Sequence, residues 1–371
     1  MRIIHLSYSR VRQDYSDPWA WFKFLSFFTG VLEAIALYSE VIAIYHINYK
    51  GVIHHKGVTY HFPKFNQWQL LLPFKFNRYI RSLHPDVVVV HGLTFPWQIV
   101  ILRWQVGRHL KIIAQHHAEP PLRDIRQYIQ RLADRYIKAY LFTSVELGLK
   151  WVEMGQISDV KKIKEIMGTS SPFYPIEKER ARSITKVSGE RVYLWVGRLD
   201  ANKDPLVVAK AFVQFMQGNP EARLYFIYQT FELLEELRII LAGALGANNS
   251  IHLIGKVPNA ELQYWYNSAD FIISSSHYEG SGVAVCEAMS CGCIPLLTNI
   301  PSFRAMTDGG RIGLLYEAGN VVALLTGLRE SLRLNQENEK KKVLERFKNE
   351  FSFEANARKL RDVINEIEDE Q

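Results

Sequence analysis

The 371-residue chain has little cysteine and no long run of apolar residues. Its three cysteines, Cys286, Cys291 and Cys293, cluster near the C-terminal end and fit no disulfide framework. We therefore expect buried, reduced thiols in a cytoplasmic protein. No stretch of about 20 apolar residues is present, which excludes a membrane-spanning helix. The opening residues MRIIHL run directly into polar residues, so no secretory signal is expected.

The length and the strand pattern predict two α/β domains. A chain of this size exceeds what one hydrophobic core usually supports, and 48% hydrophobic residues are enough for two cores. The run DVVVVH at 86–91 is typical of a strand buried on both faces of a parallel sheet. Similar runs at 2–7, 41–45, 111–115 and 139–143 alternate with helical patterns such as 123–138. We expect a doubly wound sheet.

A second set of short apolar runs predicts a second sheet. We expect its strands at 192–196, 223–228, 251–254, 271–274 and 294–298, with helices between them. Before this set, residues 166–190 hold two prolines, a Gly-Thr-Ser-Ser cluster and a charge run, which indicate a linker. An amphipathic helix is predicted at 353–367.

The positive charge is concentrated in the first half of the chain. Residues 1–175 contain 22 Lys and Arg against 12 Asp and Glu, a net charge of +10, and the remainder carries 23 against 26, a net charge of −3. This half could face an anionic membrane, or it could be an ordinary solvated surface. No nucleic-acid-binding motif is present, so no nucleic acid is expected as a partner.

Residues 269–303 carry the most informative motif. A predicted buried strand leads through three serines to a turn with Glu279, Gly280, Ser281 and Gly282, and a helix then begins near Val283. A glycine-rich turn that opens a helix suits a phosphate, because free N–H groups and the helix dipole face the anion. A carboxylate beside it repels phosphate and suits hydroxyl groups instead. A phosphate and a polyol together indicate a nucleotide sugar.

A second motif, VYLWVGRLDANKDP at 192–205, places Gly197, Arg198 and Lys203 directly after a predicted strand. Glu287 follows Glu279 after seven intervening residues in the first motif. The pair of motifs resembles the E-x7-E and G-R-L…K signatures of the GT4 family of retaining glycosyltransferases. The resemblance is strong over 188–365 and more general over 1–175.

The resemblance implies the GT-B fold, an α/β architecture of two Rossmann-like domains facing a cleft. Residues 1–175 would form the N-terminal acceptor-binding domain, and 176–350 the C-terminal domain that binds the nucleotide-sugar donor. Residues 351–371 would form a final helix that crosses back to the N-terminal domain.

The resemblance also implies roles for individual residues. Arg198 and Lys203 would clamp the donor diphosphate, Glu279 would contact hydroxyls of the transferred sugar, and Glu287 would bind the ribose. An N-terminal histidine would face the donor sugar; His117 is favoured over its neighbour His116, and His91 is a weaker candidate. The remaining donor contacts would come from the backbone of Gly197, Lys256, Val257, Gly280, Ser281, Gly282 and Val283.

We expect a metal-independent enzyme without a cofactor, because no D-x-D strand end is present and protein cations can neutralise the leaving diphosphate. It would move a hexose from a UDP- or GDP-sugar, with retention, to a glycan or lipid-linked hydroxyl in cell-surface polysaccharide synthesis. The site would be cytoplasmic, with peripheral contact to the inner face of the plasma membrane. The alternatives are a sugar-nucleotide epimerase or a phosphorylase on the same fold, or a non-catalytic nucleotide-sugar-binding module.

Overall fold

A computed structural model describes residues 1–11 and 15–369. The last two residues of the predicted C-terminal segment therefore lie outside the described part of the chain. The chain divides into two compact units, Met1–Ser170 together with Phe353–Gln371, and Ser171–Ser352. The domain limits set from the sequence stay a prediction, because a division by internal contacts does not test whether each piece folds alone.

The first unit is built on an eight-stranded sheet in the order β3-β4-β2-β1-β5-β6-β7-β8, parallel except for the β3–β4 pair. The strand order reverses at β1 and β5, as in a doubly wound fold. The strands are β1 (Arg2–Leu6), β2 (Glu40–Ile44), β3 (Gly51–His55), β4 (Val58–Phe62), β5 (Val87–His91), β6 (Lys111–Gln115), β7 (Ile137–Phe142) and β8 (Ile163–Glu165).

Helices connect these strands, and the C-terminal helix of the chain also belongs to this unit. They are α1 (Pro18–Phe24), α2 (Ser26–Ile35), α3 (Gln67–Leu71), α4 (Phe74–Ser82), α5 (Pro96–Val106), α6 (Arg126–Asp134), α7 (Val145–Glu153) and α17 (Phe353–Asp369), with a 3-10 turn at Val160–Lys162. No helix in the described part of the chain combines the length and the apolar character needed to cross a bilayer.

The second unit has a six-stranded, fully parallel sheet in the order β11-β10-β9-β12-β13-β14. Its strands are β9 (Arg191–Gly197), β10 (Ala222–Tyr228), β11 (Ile251–Gly255), β12 (Phe271–Ser274), β13 (Ile294–Thr298) and β14 (Leu314–Tyr316). Its helices are α8 (Lys178–Thr185), α9 (Pro205–Met216), α10 (Leu234–Ala242), α11 (Ala247–Ser250), α12 (Asn259–Ser268), α13 (Val283–Ser290), α14 (Pro301–Met306), α15 (Val321–Ser331) and α16 (Gln336–Arg346), followed by a π-helical turn at Phe347–Phe351.

The predicted α/β class is confirmed, and strands β12 and β13 fall where the sequence predicts them. One expectation is wrong in detail, and one pair of strands was missed. The predicted linker 166–190 contains α8, whose face with Ala181 is buried and packs on α12. The hairpin β3–β4 was not predicted, because β3 is a half-exposed edge strand without a clear apolar run. The cysteines are buried and unpaired, as expected.

Helix α17 completes the core of the first unit. Its buried face includes Leu360, Val363 and Ile364, and it packs against α2. At its first residue the Phe353 ring lies so close to Gly30 of α2 that a Cβ there would come within 2.5 Å of the ring. Only glycine allows this approach, so the two helices are matched at one specific point.

We expect Ile364→Ala to lower the free energy of unfolding by about 3 kcal/mol, because it removes a fully buried side chain and leaves a cavity in this core. Urea denaturation followed by circular dichroism would measure the loss. Asn365→Ala, on the exposed side of the same helix, is the matched control and should change stability little. Equal effects of the two substitutions would contradict the packing of α17.

Candidate functional site

The candidate site lies where the strand order of the second unit reverses, between β9 and β12. The two strands are parallel neighbours, with Trp195 opposite Ile273. Their carboxyl ends therefore lie at one sheet edge, which is where doubly wound sheets bind ligands. The loop after β9 carries Arg198 and Lys203, and the loop after β12 carries Glu279. The topology thus brings both sequence motifs to the same place.

Hydrogen bonds join the two loops. The Asn202 side chain accepts from the Tyr278 N–H at 3.1 Å and donates to the Tyr278 carbonyl at 3.0 Å. The Ser275 hydroxyl donates to the Lys203 carbonyl at 2.6 Å, and the Trp195 indole N–H donates to the Ser275 Oγ at 3.2 Å. Because three of these four contacts hold backbone atoms, they fix the two loops against each other.

An ion pair connects the two motifs. The Lys203 Nζ contacts the Glu279 Oε1, and the Ser276 hydroxyl donates to the same oxygen at 2.7 Å. The Lys203 and Glu279 side chains are only 23% and 13% exposed, so water competes weakly with the pair. The sequence predicted a cation for phosphate and a carboxylate for hydroxyls. In the structure, each is the partner of the other.

Arg198 is placed differently. Its side chain is 58% exposed and its Nη2 contacts the Asp200 Oδ2 at 3.0 Å. The other oxygen of Asp200 accepts the backbone N–H of Lys203 at 2.9 Å. Asp200 therefore links the two cations of the motif, one through its side chain and one through its backbone.

The helix that follows the second loop begins without a side-chain cap. Gly282 is the N-cap of α13, with φ 54° and ψ 50°, and this cap makes no side-chain hydrogen bond to the helix. A Cβ at this position would come within 2.9 Å of the Phe303 ring. A small cavity of about 30 Å³ lies here, lined in part by Lys203, Glu279 and Val283. An uncapped helix start beside a lysine is suited to an anion.

Glu287 lies on α13 and is buried, with 6% of the residue exposed. The Tyr266 hydroxyl donates to its Oε2 at 2.9 Å. Burial raises the pKa of Glu287 from 4.5 to about 7, and the Tyr266 bond offsets part of this rise. The carboxyl group is therefore partly protonated near neutral pH.

The other predicted site residues fall into two groups. Gly197 ends β9, Gly280 and Ser281 lie in the loop after β12, and Val257 follows β11 with its side chain against the core cluster that contains Tyr266. His117 belongs to the first unit, where it follows β6 and is exposed.

The neighbouring His116 is buried instead. It stacks on Phe142 at a centroid distance of 4.6 Å, and its Nε2 lies 2.9 Å from the Glu119 carbonyl. Of the two adjacent histidines, His117 alone has an exposed ring.

Sequence reasoning missed several residues that position the site: Asp200, Asn202, Tyr266, Ser275 and Ser276. A signal was present for four of them, because Asp200 and Asn202 lie inside the motif between Arg198 and Lys203, and Ser275 and Ser276 are among the three serines of the other motif. Short polar residues in such a loop are common loop formers, so their cross-loop partners could not be read from the pattern.

Comparison with known proteins identifies this unit. Residues 177–350 match the model of the family described as "Glycosyl transferases group 1". The match covers both motifs and all the predicted donor-site residues, from Gly197 to Glu287.

Curated relatives align more widely but at low identity. A GDP-mannose:cellobiosyl-diphosphopolyprenol alpha-mannosyltransferase of Komagataeibacter xylinus is 24% identical over 263 residues, which is 66% of this chain and 61% of the relative. A second such mannosyltransferase, from Xanthomonas campestris, is 26% identical over 61% of this chain and 59% of its own length. The chain thus spans less than two thirds of these relatives.

Solved structures show the fold over nearly the whole chain. A glycosyltransferase from Rickettsia africae ESF-5 has a TM-score of 0.75 at 15% identity and covers 99% of this chain and 98% of its own. Anabaena Alr3699/HepE, solved with UDP and glucose, has a TM-score of 0.68 at 14% identity, covering 99% and 100%. The predicted GT-B fold, with two parallel-sheet α/β domains, is confirmed.

No metal-binding cluster is found near the glycosyl transferases group 1 motifs or elsewhere in the described part of the chain. There, no group of three or more His, Cys, Asp or Glu side chains is arranged so that it could hold a metal ion. This does not test how the reaction is catalysed, and metal independence stays a prediction.

The raised pKa of Glu287 predicts a pH dependence of stability. In the unfolded chain the carboxyl titrates near 4.5, and in the folded chain near 7. Between pH 4.5 and pH 7, the folded state therefore holds a proton on Glu287 that the unfolded state has lost. The resulting stabilisation, on the order of 3 kcal/mol, is complete below pH 4.5 and is lost as the pH rises through 7.

We expect Glu287→Gln to remove this contribution, because an amide keeps an acceptor for Tyr266 and does not titrate. Urea denaturation at pH 5 and at pH 8 gives, for each protein, the change in the free energy of unfolding between the two pH values. The contribution of Glu287 is the difference between this change in the wild type and in the variant. Glu261→Gln, an exposed carboxyl on α12, is the matched control. Parallel pH profiles for wild type and Glu287→Gln would show that burial does not shift this group.

Proposed function

We propose that the chain is a retaining, metal-independent glycosyltransferase that moves a sugar from a UDP- or GDP-linked donor to a hydroxyl of a glycan or lipid-linked acceptor. The observation that carries this proposal is the Lys203–Glu279 pair beside the uncapped start of α13. The names of the curated relatives give GDP-mannose and a diphosphopolyprenol acceptor, and one structural neighbour was solved with UDP and glucose.

The ion pair matches the two halves of a nucleotide sugar. A donor brings diphosphate oxygens, which suit Lys203 and the N–H groups of α13, and sugar hydroxyls, which suit Glu279. Binding of the donor would replace the Lys203–Glu279 ion pair, which is largely shielded from water, by two sets of charge-assisted hydrogen bonds. Inorganic phosphate offers Lys203 a partner but leaves Glu279 beside an anion. A ligand with both chemistries is therefore favoured over phosphate alone.

Arg198 would act later in the reaction. Negative charge builds on the leaving diphosphate as the bond to the anomeric carbon breaks, and a preorganised cation stabilises that charge. The exposed guanidinium, oriented by Asp200, is free to reach a ligand at the sheet edge. In this proposal Arg198 and Lys203 do the work that a divalent metal does in other transferases, and the departing phosphate takes the acceptor proton on the same face of the sugar.

Glu287 would complete the donor site at the ribose. Its carboxyl group has one oxygen engaged by Tyr266, and Tyr266 is its only hydrogen-bond donor within the part of the chain described. Two vicinal ribose hydroxyls can satisfy the remaining acceptor sites of the carboxyl group.

We expect one nucleoside diphosphate, UDP or GDP, to raise the melting temperature of the protein, and Lys203→Ala to abolish the rise because the phosphates lose their cation. Thermal-shift assays with UDP, GDP, ADP and inorganic phosphate measure this. Lys210→Ala, an exposed lysine on α9, is the matched control. In turnover assays, the donor is the nucleotide sugar whose nucleoside diphosphate stabilises the protein. We expect Arg198→Ala to lower kcat for this donor roughly 10²-fold. Stabilisation by phosphate alone would favour a phosphorylase instead.

We further propose that the enzyme acts at an anionic membrane surface, through a patch on α3, α4 and α5 of the first unit. Residues 64–108 hold six Lys and Arg and a single acidic residue, Asp86. The Asp86 carboxylate is already engaged, because it accepts the backbone N–H of Arg2 at 2.7 Å. The membrane-facing patch consists of the exposed residues Trp68, Leu71, Leu72, Phe74, Lys75, Arg78, Arg81 and Trp104.

The patch combines apolar and basic side chains at short range. Trp68 and Trp104 are 72% and 76% exposed, which is rare for tryptophan on a surface that meets only water. Arg78, Arg81 and Trp104 line one surface groove of about 400 Å³. Gln105 donates to the Phe74 carbonyl at 3.2 Å, which fixes α5 against the start of α4. This combination suits a membrane surface, where indole rings lie at the level of the headgroups and arginines contact lipid phosphates.

We expect the protein to sediment with vesicles of phosphatidylcholine and phosphatidylglycerol, and less with pure phosphatidylcholine. Replacing Arg78 and Arg81 by Ala should weaken partitioning roughly 30-fold, since each basic residue contributes about 1 kcal/mol. Trp104→Ser should weaken it on both lipid mixtures. Ile239→Ser, an exposed apolar residue of the second unit, is the control. Unchanged sedimentation of the arginine variant would assign the patch to another partner.

A further inference from the structure

Three histidine side chains form a continuous row in the first unit. The His5 Nδ1 lies 3.0 Å from the His91 Nε2, and the His91 Nδ1 lies 3.0 Å from the His117 Nε2. His5 lies in β1, His91 ends β5, and His117 follows β6, so the row crosses three neighbouring strands. It starts in the core, where His5 is 5% exposed, and ends at His117, an exposed residue whose imidazole pKa is nonetheless lowered by burial.

The inner two imidazoles are held in an apolar setting. The Phe28 ring meets His91 edge to face at 4.9 Å and lies 6.4 Å from His5. Burial lowers the pKa of His5 to about 3 and, together with the neighbouring histidines, lowers the pKa of His91. Both rings are therefore neutral near pH 7, and each carries a single N–H.

A neutral row of this kind has only two proton arrangements. Each N···N contact needs one N–H and one lone pair, so the tautomer of His5 sets that of His91, and His91 sets that of His117. The outer nitrogen of His5, Nε2, is buried and has no hydrogen-bond partner among residues 1–11 and 15–369. A proton there would be a buried donor without an acceptor, which is the rarer and costlier case. The favoured arrangement places the proton of His5 on Nδ1.

From this geometry we propose that His5 and His91 are positioning residues that hold His117 as a neutral Nδ1–H donor for a hydroxyl or ring oxygen of a sugar bound at the first unit. His5 Nδ1–H donates to His91, His91 Nδ1–H donates to His117, and the His117 Nε2 is thereby occupied as an acceptor. The nitrogen left for a ligand carries a proton. The identity of the ligand rests on the proposed function, whereas the tautomer does not.

The backbone at His117 is fixed independently of the row. Its N–H donates to the Glu119 Oε2 at 2.7 Å, and the following Ala118 has a φ of 79°, in the left-handed region that a non-glycine residue seldom adopts. The loop is thus held in a tight turn that presents the His117 ring. Glu119 sets where the ring lies, and the other two histidines set which nitrogen bears the proton.

The tautomer can be measured directly on the 371-residue chain labelled with 15N-histidine. In neutral imidazole the unprotonated nitrogen resonates far downfield of the protonated one, and couplings to the ring C–H protons tell Nδ1 from Nε2. We expect the Nδ1–H form at His5, His91 and His117 in the wild type, assigned by single substitutions. An Nε2–H form at His117 would overturn the proposal, whatever the variants do.

Two substitutions at His5 separate positioning from packing. His5→Leu removes the hydrogen bond, so His117 should become a mixture of tautomers and kcat/KM should fall roughly tenfold, as for one weakened hydrogen bond. His5→Asn keeps an amide N–H near the Nδ1 position and should restore both. A His5→Leu variant that melts normally and keeps a pure Nδ1–H form at His117 would overturn the proposal.

The test also separates this proposal from the proposed function. Failure of every nucleotide to stabilise the protein would reject the donor site and leave the NMR result standing. A nucleotide response with an Nε2–H form at His117 would keep the transferase and reject the positioning role.

Discussion

The ion pair between Lys203 and Glu279 is the contact on which the candidate site depends. Its two members come from loops after different strands, so the pair exists only because β9 and β12 are neighbours at the reversal of strand order. Asn202 and Ser275 bond the same two loops. A ligand that replaced the pair would meet side chains already in position, and little ordering cost would remain to oppose binding.

In both units, the protonation of the titratable groups depends on burial as much as on their hydrogen-bond partners. Glu287 and Tyr266 share a hydrogen bond inside the second unit, and burial keeps the carboxyl of Glu287 partly protonated near neutral pH. The histidine row of the first unit is neutral for the same reason, since an imidazolium in an apolar wall is costly. In each case burial favours the uncharged form of the titratable group.

Much of the fold could be predicted from local patterns. The apolar runs of β12 and β13 predict those strands to the residue, since a strand buried on both faces leaves a continuous signal. The hairpin β3–β4 and the helix α8 were missed because edge strands and short polar helices carry weak patterns. In the site, motif spacing indicated Arg198, Lys203, Glu279 and Glu287, but it did not indicate Asp200, which orients Arg198.

By itself the sequence determined that two strand-end motifs with a glycine-rich turn are present, because such patterns are local in the chain. Only the tertiary structure decided the pairings. Lys203 and Glu279 are 76 residues apart, and His5 and His91 are 86 apart. It also decided the state of each ionisable group, such as Glu287. Contacts at this separation and the loss of water around a group depend on everything packed nearby, which no single stretch of sequence contains.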